Sequence, residues 1–230
     1  SQTAIGETSN DGYNIVWNKN TKESNYDVKV GEIGKLIVTA QSIKDSEKIT
    51  VGTLSNVVYT GKKQEQEPAV TTQDGKTKLV KGTDYTLSYS EDTKNVGEVT
   101  VTVTGKGNYS GTVTRTYKIT PAPLKVTTGK AEKVYDGKPL TNETGSVEGL
   151  VNKETATVKP NGSQTVVGST DNTYTIEWGT AQSKNYEVKS EDLGKLTVTA
   201  QSIDPGTDPE KPNPDYTGAK VNSPSDEVYD

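Results

Sequence analysis

The chain contains no cysteine, histidine, methionine or phenylalanine. Without cysteine there are no disulfide staples, no thiol nucleophiles and no thiolate metal sites. Without histidine the commonest general base and metal ligand is missing. Hydrophobic residues make up only 29% of the 230 residues, and no apolar run approaches the ~20 residues that span a bilayer. The opening SQTAIGETSN has neither the basic start nor the apolar centre of a secretion signal. Charged residues reach 25% with a net charge of -5. Lys and Arg are nowhere clustered to neutralise phosphates, so nucleic acid is not an expected partner. The interiors must therefore be thin, built from Val, Ile, Leu, Tyr and two Trp.

What the chain does contain is a repeat. Residues 34–43 read GKLIVTAQSI and residues 194–203 read GKLTVTAQSI. Upstream of these, SQTAIGETS is rewritten as SQTVVGSTD, GYNIVW as TYTIEW and SNYDVK as KNYEVK. The offset falls from 162 (Ser163 against Ser1) to 161 (Trp178 against Trp17) to 160 (Ile203 against Ile43). Two single-residue deletions thus sit between the strands, where loops absorb them. Expected strands in the first copy cover residues 13–17, 26–30 and 36–40, with Tyr13, Ile15 and Trp17 alternating onto one face.

Residues 124–162 precede the second copy and supply at least two further strands and the turn Tyr135-Asp136-Gly137-Lys138. Residues 1–43 have no such lead-in, so they read as the C-terminal half of a domain whose opening strands lie outside this chain. Between the copies, residues 85–90, 99–104 and 113–119 alternate Val, Thr and Tyr, and Gly-containing turns punctuate them, as expected of antiparallel strands in a sandwich. After Ile203, Pro205, Pro209, Pro212 and Pro214 favour an extended connector. Residues 221–230 align without a gap on residues 51–60, while Val228-Tyr229-Asp230 also fits Val134-Tyr135-Asp136.

The expected organisation is thus 1–43, end of a unit A; 44–120, a unit B; 121–203, a whole unit A; 204–217, a Pro-rich linker; and 218–230, the start of a further repeat, B in the first alignment. The fold class is all-β: tandem small antiparallel β-sandwich domains, Ig-like or β-grasp-like, in an elongated array.

Unit A resembles the YDG/MBG-type repeat domains of large bacterial surface proteins. The likeness rests on VYDGKPLT (134–141), GLVN (149–152), Asn185-Tyr186 and GKLTVT (194–199). Unit B resembles an Ig-like repeat of Gram-positive surface proteins through GTDYT (82–86), NVG (95–97) and GKGNYSGT (105–112). The resemblance implies an exported, wall-attached or fibrous protein whose domains form a stalk or an adhesive surface, and it brings no catalytic residues.

Candidate sites are few. Trp17 and Trp178 occupy equivalent positions; a surface Trp stacks on sugar rings, whereas the same residue beside Ile15 or Ile176 fills a core, and core packing is the leading reading. Tyr26, Tyr109 and Tyr186 each follow Asn, and Tyr59, Tyr135 and Tyr229 open turns; all six read as structural, with buried rings and solvated hydroxyls. The acidic pairs Glu91-Asp92 and Glu191-Asp192 lack the alternating oxygen ligands of a calcium loop. No metal, cofactor or catalytic residue is expected, and no enzymatic activity. A Lys–Asn crosslink could in principle use Lys62, Lys63 or Lys138 with Asn108 or Asn185, but no motif selects a pair.

The expected role is a stalk or fibre segment at the cell exterior, with neighbouring repeats as partners and no membrane insertion. Its rival is an adhesin that binds a glycan or host surface protein through loops such as residues 18–22 and 179–182, where the A copies differ. The incomplete first domain could also be completed from elsewhere in an assembly, since a bare sheet edge invites aggregation.

Overall fold

The computed structural model describes residues 2–10, 14–21, 23–26, 29, 31 and 34–202. Among them there is no α-helix, only two single-turn 3-10 helices and eighteen β-strands. The chain forms two compact units. One comprises Ser1–Val57, Lys63–Thr93 and Gly97–Ile119; the other comprises Val58–Lys62, Lys94–Val96 and Thr120–Asp230.

The first unit begins with β1 (Gly6–Ser9) and β2 (Lys35–Val38), an antiparallel pair. The short β3 (Gln41–Ser42) follows, parallel to β9 (Tyr109–Ser110). Then come β4 (Ile49–Val51), which pairs with β6 (Val70–Thr72), and the two-residue β5 (Val57–Val58). The main sheet has the order β5-β10-β8-β7, where β7 is Tyr85–Tyr89, β8 Gly97–Gly105 and β10 Thr112–Thr120.

Period-two patterning accounts for β8: Val99, Val101 and Val103 point inward and are fully buried, while Thr100, Thr102 and Thr104 face outward. Ile43, Ile49, Val51, Val70, Leu79, Tyr85 and Val103 form one core cluster, with Leu87, Tyr109 and Val113 packed against it. Ile43, the last residue of the first written GKLIVTAQSI, is thus a core residue of this unit.

The second unit is built on two three-stranded sheets and a hairpin-like pair. In one sheet β11 (Ala122–Thr128) lies between β13 (Gly145–Glu148), antiparallel, and β17 (Tyr186–Asp192), parallel. In the other, β18 (Lys195–Thr199) lies between β12 (Ala131–Val134), parallel, and β15 (Gly168–Asp171), antiparallel. The pair is β14 (Ala156–Pro160) with β16 (Tyr174–Trp178). Leu124, Val126, Val158, Leu196 and Val198 fill the interior. Buried Asn172 closes the turn after β15: its amide donates to the carbonyls of Gly129 (2.9 Å) and Asn142 (2.8 Å), and its side-chain oxygen accepts from Gly162 N–H (3.2 Å).

Two expectations need correction. The sheets are not purely antiparallel, because in the second unit β11 pairs with β17, and β12 with β18, in parallel. Alternation alone cannot distinguish these directions, since it reports which face is buried and not which neighbour runs alongside. Residues 124–162, where at least two strands are expected, contribute most of β11 and all of β12, β13 and β14. Residues 14–17 form no strand, and Ile15 is exposed; their counterparts in the second copy pair with β14, for which the described residues among 1–43 show no equivalent. Tyr13, most of residues 26–30, and residues 203–230 with the Pro-rich segment and the last repeat start lie outside the described residues.

Candidate functional site

The two A copies share a conserved geometry as well as a sequence. In the first, Gly6, Thr8 and Ser9 face Val38, Leu36 and Lys35; in the second, Gly168, Thr170 and Asp171 face Val198, Leu196 and Lys195. The end of each pair is anchored alike, by Asn10 N–H on Gly34 O and by Asn172 N–H on Gly194 O, both at 2.8 Å. The 3-10 turns Glu23–Asn25 and Ser183–Asn185 are likewise equivalent.

Each copy also pairs its Trp with the Tyr that follows its 3-10 turn. The ring centroids of Trp17 and Tyr26 lie 5.4 Å apart with 36° between planes, and those of Trp178 and Tyr186 lie 6.0 Å apart with 21°. Both Trp residues are half-buried. β16 holds Tyr174, Ile176 and Trp178 on one face because its residues alternate and Ile176 is opposite Val158 on β14. That face lines an open cleft of about 500 Å³, shared with Thr173, Thr175, Glu191 and Leu193. The Tyr174 hydroxyl donates to Glu191, and burial together with this bond pushes its pKa up to about 12. Trp178 therefore packs on Tyr186 and also lines the cleft.

The environments of the two tyrosines diverge. Tyr26 is 60% exposed. Tyr186 is buried, because Tyr59 of segment Val58–Lys62 lies edge-on against it at 5.5 Å and 83°. Both hydroxyls donate to one carboxylate: Tyr59 to Glu154 Oε1 at 2.6 Å and Tyr186 to Oε2 at 2.8 Å. The Tyr186 oxygen also accepts from Val151 N–H at 3.2 Å. Asn152 Nδ2 donates to Gly61 O (3.1 Å), and buried Asn185 bonds both Asn95 (2.8 Å) and the N–H of Val96 (3.0 Å). The Tyr59 and Tyr186 hydroxyls, expected to be solvated, are thus engaged. Glu154 was not among the sequence candidates; its only sequence signal is its place two residues after the turn that carries GLVN.

The tyrosine turn is written twice within the described residues, as Val58-Tyr59-Thr60-Gly61-Lys62 and Val134-Tyr135-Asp136-Gly137-Lys138. Both anchor on a terminal strand threonine: Tyr59 N–H on Thr120 O (2.8 Å) and Tyr135 N–H on Thr199 O (2.9 Å). Both glycines take the left-handed conformation, φ +72° at Gly61 and +77° at Gly137. A β-carbon on Gly61 would run into Asn152, whereas one on Gly137 would meet nothing within 4 Å. Tyr59 is buried and Tyr135 is 40% exposed.

Lys62, Lys63 and Lys138 are exposed, and Asn185 is committed to Asn95 and Val96. Among the described residues no group of three or more acidic side chains is placed to hold a metal ion, and no helix is long and apolar enough to cross a membrane. No curated protein matches the chain. Residues 124–202, which carry β18 and most of the second unit, match the family of the MBG domain (YGX type).

Proposed function

We propose that the chain is a structural segment of a bacterial cell-surface protein, in which small β-sandwich domains follow one another in an elongated tandem array and serve as a stalk or fibre. MBG domains are repeat domains of surface proteins, and the match at residues 124–202 supports a repeat segment. The observation that carries the reading is the register shared by β1–β2 and β15–β18, with equivalent anchoring bonds. A unit reused with its strand pairing intact suits a part whose useful property is length. The role is non-catalytic, its partners are neighbouring repeats, and its place is outside the cell. Small-angle X-ray scattering of the whole chain tests this: a maximum dimension well beyond that of a compact 230-residue sphere is expected, and a compact profile overturns it.

A second reading, an adhesin that takes a glycan, is favoured by one feature, the cleft where Tyr174, Trp178 and Glu191 meet. An aromatic face beside a carboxylate is suited to a sugar ring and its hydroxyls. A glycan array probed with the chain and with its Trp178→Ala variant separates the readings. Binding that the variant loses favours the adhesin, and silence favours the stalk.

A further inference from the structure

The turn Val58–Lys62 is seated within the second compact unit, and only two of its residues are covered there. Tyr59 and Gly61 are buried, whereas Val58, Thr60 and Lys62 are exposed. Both buried residues meet a second turn, Val151-Asn152-Lys153-Glu154, closed by Glu154 N–H on Val151 O at 2.9 Å. Its central residues are left-handed without being glycine, with φ +52° at Asn152 and +60° at Lys153. A residue with a β-carbon disfavours this conformation, which persists where the surroundings hold it.

This turn aims two side chains at the seated one. Glu154 gives one carboxylate oxygen to each of two phenols. Because the Tyr186 oxygen accepts from Val151 N–H, its own proton goes to Oε2, and Oε1 is left for a second donor, the Tyr59 hydroxyl. An ionised carboxylate only accepts, so a ring without a hydroxyl would leave Oε1 without this donor. Asn152 tests the glycine: its Nδ2 donates to Gly61 O, and a β-carbon at residue 61 would collide with the Asn152 side chain. A steric clash at one position and a lost donor at the other reject other turns.

We propose that Asn152, Glu154 and Tyr186 form a socket selective for a Tyr-x-Gly turn, and that these two residues, not the repeat that carries them, define the occupant. The turn Val134-Tyr135-Asp136-Gly137-Lys138 of a second copy meets both requirements. It has the same left-handed glycine and the same anchoring on a strand-end threonine as the seated turn, and it differs from it only at the exposed position, with Asp136 in the place of Thr60. The socket thus selects a neighbour by a two-residue code. This deepens the stalk reading, on which it rests for its biological purpose, by naming what one repeat recognises in another.

The probe is a labelled peptide of residues 129–140, GKAEKVYDGKPL, followed by anisotropy against the whole chain and against its Tyr59→Ala variant, whose socket lacks its ring. Saturable one-to-one binding to the variant is expected, at least tenfold tighter than to the unaltered chain, where the tethered turn holds the socket. Peptides with Tyr135→Phe or Gly137→Ala should each bind the variant about tenfold more weakly. Equal binding to the two chains, no binding to the variant at millimolar peptide, or indifference to either peptide substitution overturns the proposal. A second measurement needs no vacated socket: Thr60→Asp makes the seated turn identical in sequence to residues 134–138, and its urea midpoint should match that of the unaltered chain. Gly61→Ala should lower the midpoint further than Gly137→Ala, which bears a similar left-handed strain with no neighbour within 4 Å. A fall with Thr60→Asp as large as with Gly61→Ala, or equal falls for the two glycine variants, also overturns it. A compact scattering profile with peptide binding intact would remove the stalk and leave the socket.

Discussion

Glu154 accepts two phenol hydroxyls, and its chemistry dominates the pocket around Tyr59. Burial first, and then the bond to this carboxylate, push the Tyr59 pKa up to about 12, against an ordinary value near 10. Burial raises Tyr186 as well. The sign of the linkage follows: the neutral phenol is the form favoured by folding, so its contribution is complete below pH ~10 and is lost as pH rises towards about 12. Tyr59→Phe keeps the ring and removes the bond. It should cost about 1–2 kcal/mol at neutral pH and flatten the alkaline fall in stability, both read from urea unfolding midpoints at a series of pH values. An unchanged alkaline slope would mean that Tyr59 is not seated on Glu154 in solution.

At the scale of the element, β2 and β18 are the same strand in two surroundings. Leu196 has a strand on each side and is fully buried, whereas Leu36 has one strand neighbour among the described residues and is half-buried. Leu196→Ala should therefore cost about 2–5 kcal/mol, the range for emptying a packed leucine site. Leu36→Ala should cost clearly less. Urea unfolding of the two variants makes the comparison directly, and equal costs would mean that β2 is covered in solution as β18 is. The alternation of these strands was legible in sequence, as were β7, β8 and β10. The parallel partners of β18 and β11 were not, because they are brought together from segments more than fifty residues apart and leave no local pattern.

For the whole molecule, the two compact units have separate cores, one centred on Val70 and Val103 and the other on Leu196 and Val126. The ion pairs are spread over the surface and contribute little, so each unit depends on its apolar strands and a few buried polar side chains. Asn172 is the clearest of these, with three side-chain hydrogen bonds at a fully buried position. Asn172→Ala leaves its partners unsatisfied and should destabilise the second unit by about 2–3 kcal/mol. Calorimetry should then show one unfolding transition shifted down by several degrees and the other in place. A uniform shift of the entire profile would mean that the units unfold as one.

The sequence by itself determined the all-β class, the repeat and its drifting offset, and the faces of the central strands, because each of these is written in local alternation or in self-similarity. It also placed the two Trp at equivalent positions. Only the tertiary structure decided which tyrosines are seated and which are bare, since Tyr59 and Tyr135 open nearly identical turns and differ in what has been folded against them. The same holds for Glu154, an unremarkable loop carboxylate until two hydroxyls from segments about a hundred and about thirty residues away converge on it.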